Sequence, residues 1–154
     1  MTVVVDVKAP EFTLRDYNRE LVSLESLRAD RNVLLVFYPF AFSGVCQSEL
    51  CRVRDEIGDY QNERVRVVGI SVDAPFSLKV WAQQEGFTFP LLSDFWPHGE
   101  VARAYGVFDE ASGSANRGTF LVDKAGFIRF AEVGERGSAR DQTVWKRAIA
   151  AVDD

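Results

Sequence analysis

The chain of 154 residues contains only two cysteines and one histidine. A structural zinc site needs four ligands, usually Cys or His, so this set is too small without carboxylates and we expect no metal. The sequence also lacks a glycine-rich phosphate loop and a dinucleotide-binding fingerprint, and we expect no cofactor. Residues 1–6 lack the basic region of an export signal. We therefore expect a cytoplasmic protein, in which any disulfide is transient and catalytic.

Long apolar runs are absent as well. The longest, residues 33–42, contains Pro39 and falls far short of the roughly 20 residues that a membrane-spanning helix needs, so we expect no membrane contact. Eighteen basic and 23 acidic residues give a net charge of −5, which argues against a nucleic-acid partner. No repeat, low-complexity segment or linker divides the sequence. Residues 1–154 are therefore expected to form one domain with its own core.

Short apolar segments alternate with helical patterns along the chain. Strands are predicted over residues 33–38, 65–72, 89–93, 119–123 and 127–131, after an N-terminal hairpin of residues 9–14 and 20–24. Helices are predicted from residue 44 to about 58, from Pro75, over 100–105 and over 141–152, with a short one ending near Ala29. If Pro90 belongs to its strand, that strand lies at a sheet edge. The alternation predicts an α/β fold with a central mixed sheet, helices on both faces and an N-terminal hairpin.

Cys46 begins the helical pattern that follows the buried strand at residues 33–38. The spacing of Cys46, Leu50, Val53 and Ile57 places all four on one helix face. Cys46 is therefore expected in the first turn, on the inward face, where free backbone N–H groups and the helix dipole favour an anion. A thiol there ionises readily, and the thiolate is the nucleophile. Ligand sites of open α/β sheets also lie at the carboxyl ends of strands.

Three residues near Cys46 have two interpretations each. Pro39 either only stops the strand or, having no N–H, also shields the thiolate without competing for it. Ser43 either caps the helix or brings its hydroxyl to the sulfur, and both roles can coexist. Glu49, about one turn after Cys46, either orients a cationic partner or is a solvated helix residue.

The segment from Pro39 to Cys46, PFAFSGVC, resembles the peroxiredoxin signature Pro-x-x-x-Thr/Ser-x-x-Cys. Further segments similar to this family lie at residues 9–14, 89–94, 105–107 and 117–123. The sequences of residues 91–99 and 115–120 are most similar to the AhpE type of peroxiredoxin. The resemblance implies a thioredoxin-like fold and the reduction of hydroperoxides by a cysteine.

The resemblance also implies roles for individual residues. Cys46 would attack the terminal peroxide oxygen and become a sulfenic acid. Arg117, which the sequence alone leaves open to being a surface loop residue, would keep that thiolate ionised and bind the peroxide. Ser43 would take the place of the usual threonine, and Pro39 would shield the site. Glu49 matches a glutamate found at this helix position in AhpE-like members.

Cys51 departs from the AhpE type, which is usually described as a one-cysteine enzyme. A cysteine five residues after the first resembles instead the PrxQ (bacterioferritin-comigratory) type, in which it resolves the sulfenic acid as an internal disulfide. Five residues of helix separate two Cα atoms by about 8–9 Å, beyond the roughly 7 Å that a disulfide permits. We predict that Cys51 resolves Cys46 and that the first helical turns unwind in each cycle. The alternative is an inert packed side chain.

Partners follow from the resemblance as well. It implies a hydroperoxide substrate. Similarity to the AhpE type implies mycoredoxin or mycothiol as the reductant, whereas similarity to the PrxQ type implies thioredoxin. Family members commonly form dimers, and Phe40 and Phe42 either line an apolar mouth or lie at such a contact. We assign His98 no catalytic role. Two other classes of function remain open: a peroxide sensor with little turnover, and a catalytically idle scaffold.

Overall fold

The computed structural model describes residues 5–134 and 137–152. Its strands are β1 (Thr13–Asp16), β2 (Leu21–Ser23), β3 (Asn32–Phe37), β4 (Val65–Ser71), β5 (Leu91–Ser93), β6 (Phe108–Asp109), β7 (Ser114–Ala115), β8 (Arg117–Val122) and β9 (Ile128–Gly134). Its helices are α1 (Leu24–Leu27), α2 (Gly44–Asp55), α3 (Ile57–Tyr60), α4 (Pro75–Glu85), α5 (Glu100–Ala104) and α6 (Gln142–Ala151). The single-domain prediction includes residues 1–4, 135–136 and 153–154, which lie outside the described ranges. The argument about an export signal depends partly on residues 1–4.

Seven strands form one mixed sheet in the order β2-β1-β5-β4-β3-β8-β9. The predicted parallel pairing of β3 with β4 is confirmed, and β5 also pairs parallel with β4. The other neighbours in this sheet, including the N-terminal hairpin of β1 and β2, are antiparallel. Pro90 precedes β5, which lies inside the sheet between β1 and β4, so the condition for an edge strand is not met.

All six residues of β3 are buried, because helices cover both faces of the sheet. Successive side chains of a strand point to opposite faces, so alternate residues of β3 join different cores. Val33, Leu35 and Phe37 lie in the core beneath α1 and α5, and Leu34 and Val36 lie in the core beneath α2, α4 and α6. The predicted arrangement of a central sheet between two helical layers is confirmed.

The helix that begins after β3 is shorter than predicted. Its regular hydrogen bonding ends at Asp55, and the chain re-forms one turn as α3 after Glu56, which has φ −114°. Other helix ends follow local chemistry. Asp141 accepts a hydrogen bond from the N–H of Thr143 at the start of α6, and Gly106 takes a positive φ after α5. None of the helices in the described ranges is long and apolar enough to cross a membrane.

Candidate active site

Cys46 is the third residue of α2, directly beyond the carboxyl end of β3. Its side chain is fully buried and joins Leu50 and Val53 in the core between the sheet and α4. The prediction of a first-turn, inward-facing cysteine is confirmed. The thiol is free in this structure, as is that of Cys51.

Arg117 reaches Cys46 from the neighbouring strand. It is the first residue of β8, which runs antiparallel to β3 with Val36 opposite Thr119. An antiparallel strand begins where its partner ends, so the start of β8 lies at the carboxyl end of β3. The guanidinium Nη2 lies 3.2 Å from Sγ of Cys46, and the side chain is only 2% exposed. The interpretation of Arg117 as a surface loop residue is therefore wrong.

Glu49 holds Arg117 in place. Its side chain is 1% exposed, and its Oε1 accepts a hydrogen bond of 2.6 Å from Nη1 of Arg117. The interpretation of Glu49 as a solvated helix residue is wrong, because the carboxylate lies inside the protein between cations. One nitrogen of the Arg117 guanidinium therefore faces the carboxylate and the other faces the sulfur.

Arg140 is a second arginine on the same carboxylate. Its Nη2 donates to Oε1 of Glu49 at 2.8 Å, and its Nε and backbone N–H donate to Oε2 at 2.9 and 2.7 Å. Burial raises the pKa of Glu49, but the hydrogen bonds and charge of Arg140, with the charge of Arg117, outweigh it and lower the pKa below its usual value. Glu49 is therefore ionised at neutral pH and fixes both guanidiniums.

Sequence reasoning did not identify Arg140. The residue lies in the polar segment before α6, where an arginine beside the helix cap Asp141 looks like a surface residue. Its contact with Glu49 joins positions 91 residues apart. A further contact, from Nη1 to the carbonyl oxygen of Gly118 at 3.0 Å, ties it to β8. The fold brings these distant segments together, so no local sequence pattern indicates the contact between Arg140 and Glu49.

Ser43 and Pro39 lie in the loop between β3 and α2. Ser43 occupies the N-cap position of α2, as one of its two interpretations expected, but its side chain makes no capping hydrogen bond. Its hydroxyl donates instead to the carbonyl oxygen of Phe40 at 3.0 Å. Pro39 is buried at the start of the loop, whereas Phe40 and Phe42 are 41% and 49% exposed. The loop therefore has a buried side next to the core and an apolar side facing solvent.

Cys51 lies farther along the same helix and faces α4. Its Sγ donates to Oε1 of Glu85 at 3.3 Å. Burial raises the pKa of Cys51 above its usual value, and the hydrogen bond to Glu85 raises it further, against the opposing charge of Arg54. Because α2 is continuous from Gly44 to Asp55, the two cysteines remain in the helical geometry that forbids a disulfide between them.

The arrangement around Cys46 suits nucleophilic chemistry. A guanidinium within hydrogen-bond distance stabilises a thiolate and any negative charge that develops beside it. Cys46 lies in the first turn of α2, where the backbone also favours negative charge. Among the described residues, no group of three or more His, Cys, Asp or Glu side chains is placed to hold a metal ion.

Comparisons with known proteins agree with this geometry. The family model described as "AhpC/TSA family" matches residues 5–131. Alkyl hydroperoxide reductase E of Mycobacterium tuberculosis is 55% identical over 148 residues, which cover 96% of this chain and 97% of that protein. The crystal structure of peroxidoxin BcpB from Mycobacterium tuberculosis matches with a TM-score of 0.87 and 27% identity over 100% of both chains.

A second solved structure, AhpC of Enterococcus faecalis, also gives a TM-score of 0.87, with 30% identity over 98% of this chain and 92% of that one. Both structural matches extend over the whole sheet and its two helical layers. With the family model spanning most of the sequence and a relative at 55% identity spanning nearly all of it, the chain belongs to the AhpC/TSA family and is a peroxiredoxin, a thiol peroxidase of thioredoxin-like fold.

Proposed function

We propose that this protein reduces hydrogen peroxide and organic hydroperoxides with Cys46 as the peroxidatic nucleophile. The observation that carries the proposal is the 3.2 Å contact between Nη2 of Arg117 and Sγ of Cys46, two side chains that are both almost completely buried. The similarity to an alkyl hydroperoxide reductase supports the same class of substrate. Peroxide reduction needs a nucleophilic sulfur beside a fixed cation, and Cys46 and Arg117 are placed to supply the two.

In the first step, the Cys46 thiolate attacks the terminal oxygen of the peroxide. An S–O bond forms as the O–O bond breaks, the sulfur loses two electrons to become a sulfenic acid, and the leaving oxygen takes up a proton as water or an alcohol. Arg117 stabilises the charge that builds on the leaving oxygen. Because Glu49 fixes its orientation, the guanidinium needs no rearrangement during the reaction.

Ser43 and Pro39 complete the proposed site. The Ser43 hydroxyl bonds to the carbonyl oxygen of Phe40 in this structure and is exposed, so a short rotation about χ1 frees it for an incoming peroxide oxygen. Pro39 presents no N–H to compete for the thiolate. Both residues then act in binding the peroxide rather than in electron transfer.

In the second step, we propose that Cys51 attacks the sulfenic acid, forming the Cys46–Cys51 disulfide and releasing water. The spacing of the two cysteines supports this route, and it requires the first turns of α2 to unwind. An external thiol, either a thioredoxin- or mycoredoxin-type protein or a low-molecular-weight thiol such as mycothiol, then reduces the disulfide.

A one-cysteine route is the second candidate, and one observation favours it. The Cys51 thiol is hydrogen-bonded to Glu85 at 3.3 Å on the far side of α2, which keeps it protonated and turned away from Cys46. In this route the external thiol attacks the Cys46 sulfenic acid directly. Cys51 is then an inert packed side chain.

Peroxide consumption with excess dithiothreitol tests the first step. We expect turnover by the wild type and by Cys51→Ser, and none by Cys46→Ser. A peroxide sensor predicts oxidation of Cys46 without sustained turnover, and an idle scaffold predicts that Cys46→Ser changes nothing. Either result contradicts the proposal.

Intact mass after one equivalent of peroxide tests the second step. Loss of two hydrogens in the monomeric chain, absent in Cys51→Ser, supports the disulfide. Gain of one oxygen that Cys51→Ser does not alter supports the one-cysteine route.

A cytoplasmic homodimer is the proposed form of the protein. Phe40 and Phe42 expose apolar rings beside the site, which a second copy would cover. Analytical ultracentrifugation of the wild type tests this assembly, and a monomer at micromolar concentration contradicts it.

A further inference from the structure

The loop that leads from β3 to the helix of Cys46 is held by a carboxylate from outside the signature motif. Asp73 follows the end of β4, and its Oδ2 accepts a hydrogen bond of 2.8 Å from the backbone N–H of Ala41. The same oxygen accepts a 2.7 Å hydrogen bond from the hydroxyl of Ser71. The Asp73 carboxylate therefore joins the loop after β3 to the end of β4.

The segment around Asp73 is itself anchored to the next strand. The hydroxyl of Ser93 donates to the carbonyl oxygen of Asp73 at 2.6 Å. The backbone N–H of Asp94 donates to the carbonyl oxygen of Ser71 at 2.7 Å. The ends of three adjacent parallel strands, β3, β4 and β5, are thus connected, and Asp73 is the link that reaches the loop before α2.

Ala41 lies at a demanding point of that loop. The next residue, Phe42, has φ of +69°, a conformation that L side chains rarely adopt. Surrounding contacts must hold such a residue in place. The contacts of this turn include the Asp73 hydrogen bond to Ala41, the hydrogen bond from the Ser43 hydroxyl to the carbonyl oxygen of Phe40, and the packing of the Phe42 ring against Trp81, with ring centroids 6.0 Å apart. The Asp73 hydrogen bond is the one among these contacts that ties the turn to the end of β4.

The turn is continuous with the nucleophile. Ala41 and Cys46 are buried in the same apolar cluster, and the intervening residues lead directly into the first turn of α2. A shift of Ala41 is therefore passed along the chain to the start of the helix that carries the thiol. Misplacement of reacting groups by about 1 Å is enough to lower a rate by orders of magnitude.

We infer that Asp73 is a positioning residue for the peroxidase reaction, which fixes the 39–43 loop over Cys46 through the N–H of Ala41. The inference rests on the proposed function of Cys46. Asp73 acts through the loop backbone and makes no contact of its own with the sulfur among the hydrogen bonds of the described residues. Its loss should free the loop, so that Cys46 becomes easier to reach but is worse placed for peroxide.

Two reactions of Cys46 that respond in opposite directions test this inference. In a Cys51→Ser background, we expect Asp73→Ala to lower the single-turnover rate of oxidation by hydrogen peroxide about tenfold, the effect of losing a hydrogen bond to a charged group. Alkylation of Cys46 by iodoacetamide should rise instead, because the loop no longer covers the thiol. Asp73→Asn keeps an oxygen acceptor for Ala41 and should restore both rates to near the parent values.

Asp16→Ala is the matched control. Asp16 also accepts hydrogen bonds from two backbone N–H groups, those of Asn18 and Glu20, but in the turn between β1 and β2. We expect neither rate to change in Asp16→Ala. Unchanged rates in Asp73→Ala, or a parallel fall of both rates that Asp73→Asn does not rescue, would overturn the inference.

Ser71→Ala provides a second variant if Asp73→Ala does not fold. It removes the hydroxyl that donates to the same oxygen of Asp73, so a smaller change in the same two directions is expected. Equal rates in Ser71→Ala and the parent would then count against the inference. Failure of the proposed function looks different, since the parent itself would not react with peroxide while the alkylation rates would still report on the loop.

Discussion

Cys46 and Cys51 lie five residues apart on one helix, yet their thiols meet opposite charges. Sγ of Cys46 is fully buried and lies 3.2 Å from the guanidinium of Arg117. Sγ of Cys51 is partly buried and lies 3.3 Å from the carboxylate of Glu85. The rotation of about 140° between the two positions turns one thiol toward the sheet and the other toward α4.

The difference shows that two thiols on one helix can meet opposite electrostatic neighbours. A cation beside a thiol favours the thiolate, whereas burial and then the hydrogen bond to Glu85 raise the pKa of Cys51. Both neighbours come from distant parts of the chain, 71 residues away for Arg117 and 34 for Glu85. Substitutions that alter the surroundings of one cysteine, or the helix between the two, therefore test this difference.

The largest effect is expected when the cation beside Cys46 is removed. Arg117→Gln removes the charge and shortens the side chain, so the second-order rate of Cys46 oxidation should fall by about 100-fold or more, as for the loss of one transition-state donor. Stopped-flow measurement with hydrogen peroxide provides the rate. Arg103→Gln, which removes an exposed arginine paired with Glu110, is the control and should react at the parent rate. An Arg117→Gln rate equal to that of the control would show that the guanidinium does not activate Cys46.

A smaller effect is expected when the support of that cation is removed. Glu49→Gln leaves Arg117 at its place in β8 but loses the carboxylate that orients it, and we expect oxidation of Cys46 to slow about tenfold. The variant should also lose about 3 kcal/mol in free energy of unfolding, because two buried guanidiniums lose their counter-charge. Peroxide kinetics and urea unfolding give the two values. Glu56→Gln, at the end of the same helix and paired with Arg52 and Lys146 instead of Arg117, should leave the kinetics unchanged. A peroxide rate in Glu49→Gln equal to that of the parent would show that Glu49 does not support the reaction.

Local sequence patterns predicted most of the fold. The buried strand before Cys46, the helical spacing of Cys46 with Leu50 and Val53, and the glycine-containing turn between β8 and β9 are signals within short windows, and all three appear in the structure. The break of the helix at Glu56 was missed, because no proline or strong helix stop marks it. Position on a helix face is a local property, and this is why the inward placement of Cys46 was predictable.

The electrostatic partners of the two cysteines were not predictable from local patterns. Arg117 was identified through the family resemblance, and Arg140 and Glu85 were not identified at all. Their contacts depend on which strand ends meet and on how α4 packs against α2, which follow from the complete topology. The direction of the Ser43 hydroxyl was also missed, since a serine side chain chooses between nearby acceptors by a single rotation.

The separation of the two thiols by an intact helix gives the third prediction. If the first turn of α2 unwinds before the disulfide forms, Gly44→Ala should slow disulfide formation by up to about fivefold, because alanine favours the helix by about 1 kcal/mol. An added Cβ at Gly44 meets nothing within 4 Å, so the folded state tolerates it. Quenched-flow mass spectrometry follows the loss of two hydrogens.

Gly58 offers the control for this substitution. An added Cβ there also meets nothing within 4 Å, but the residue lies in α3, beyond the segment that must unwind. In Gly58→Ala the Cys46–Cys51 disulfide should therefore form at the wild-type rate. Equal slowing by both substitutions, or by neither, would contradict unwinding of the first turn as the limiting event.

The smallest effect is expected at the carboxylate beside Cys51. In a Cys46→Ser background, Glu85→Gln replaces the charge with a neutral amide, so the pKa of Cys51 should fall and its alkylation by iodoacetamide should rise about threefold at pH 8. The two alkylation rates should become equal at a pH high enough to ionise Cys51 in both proteins. A raised pKa lowers the thiolate fraction only at pH values near or below that pKa. Glu20→Gln, an exposed residue of the β1–β2 turn, is the control. An unchanged pH profile would mean that burial alone holds the proton on Cys51, and that the contrast between the two cysteines depends on Arg117 and not on Glu85.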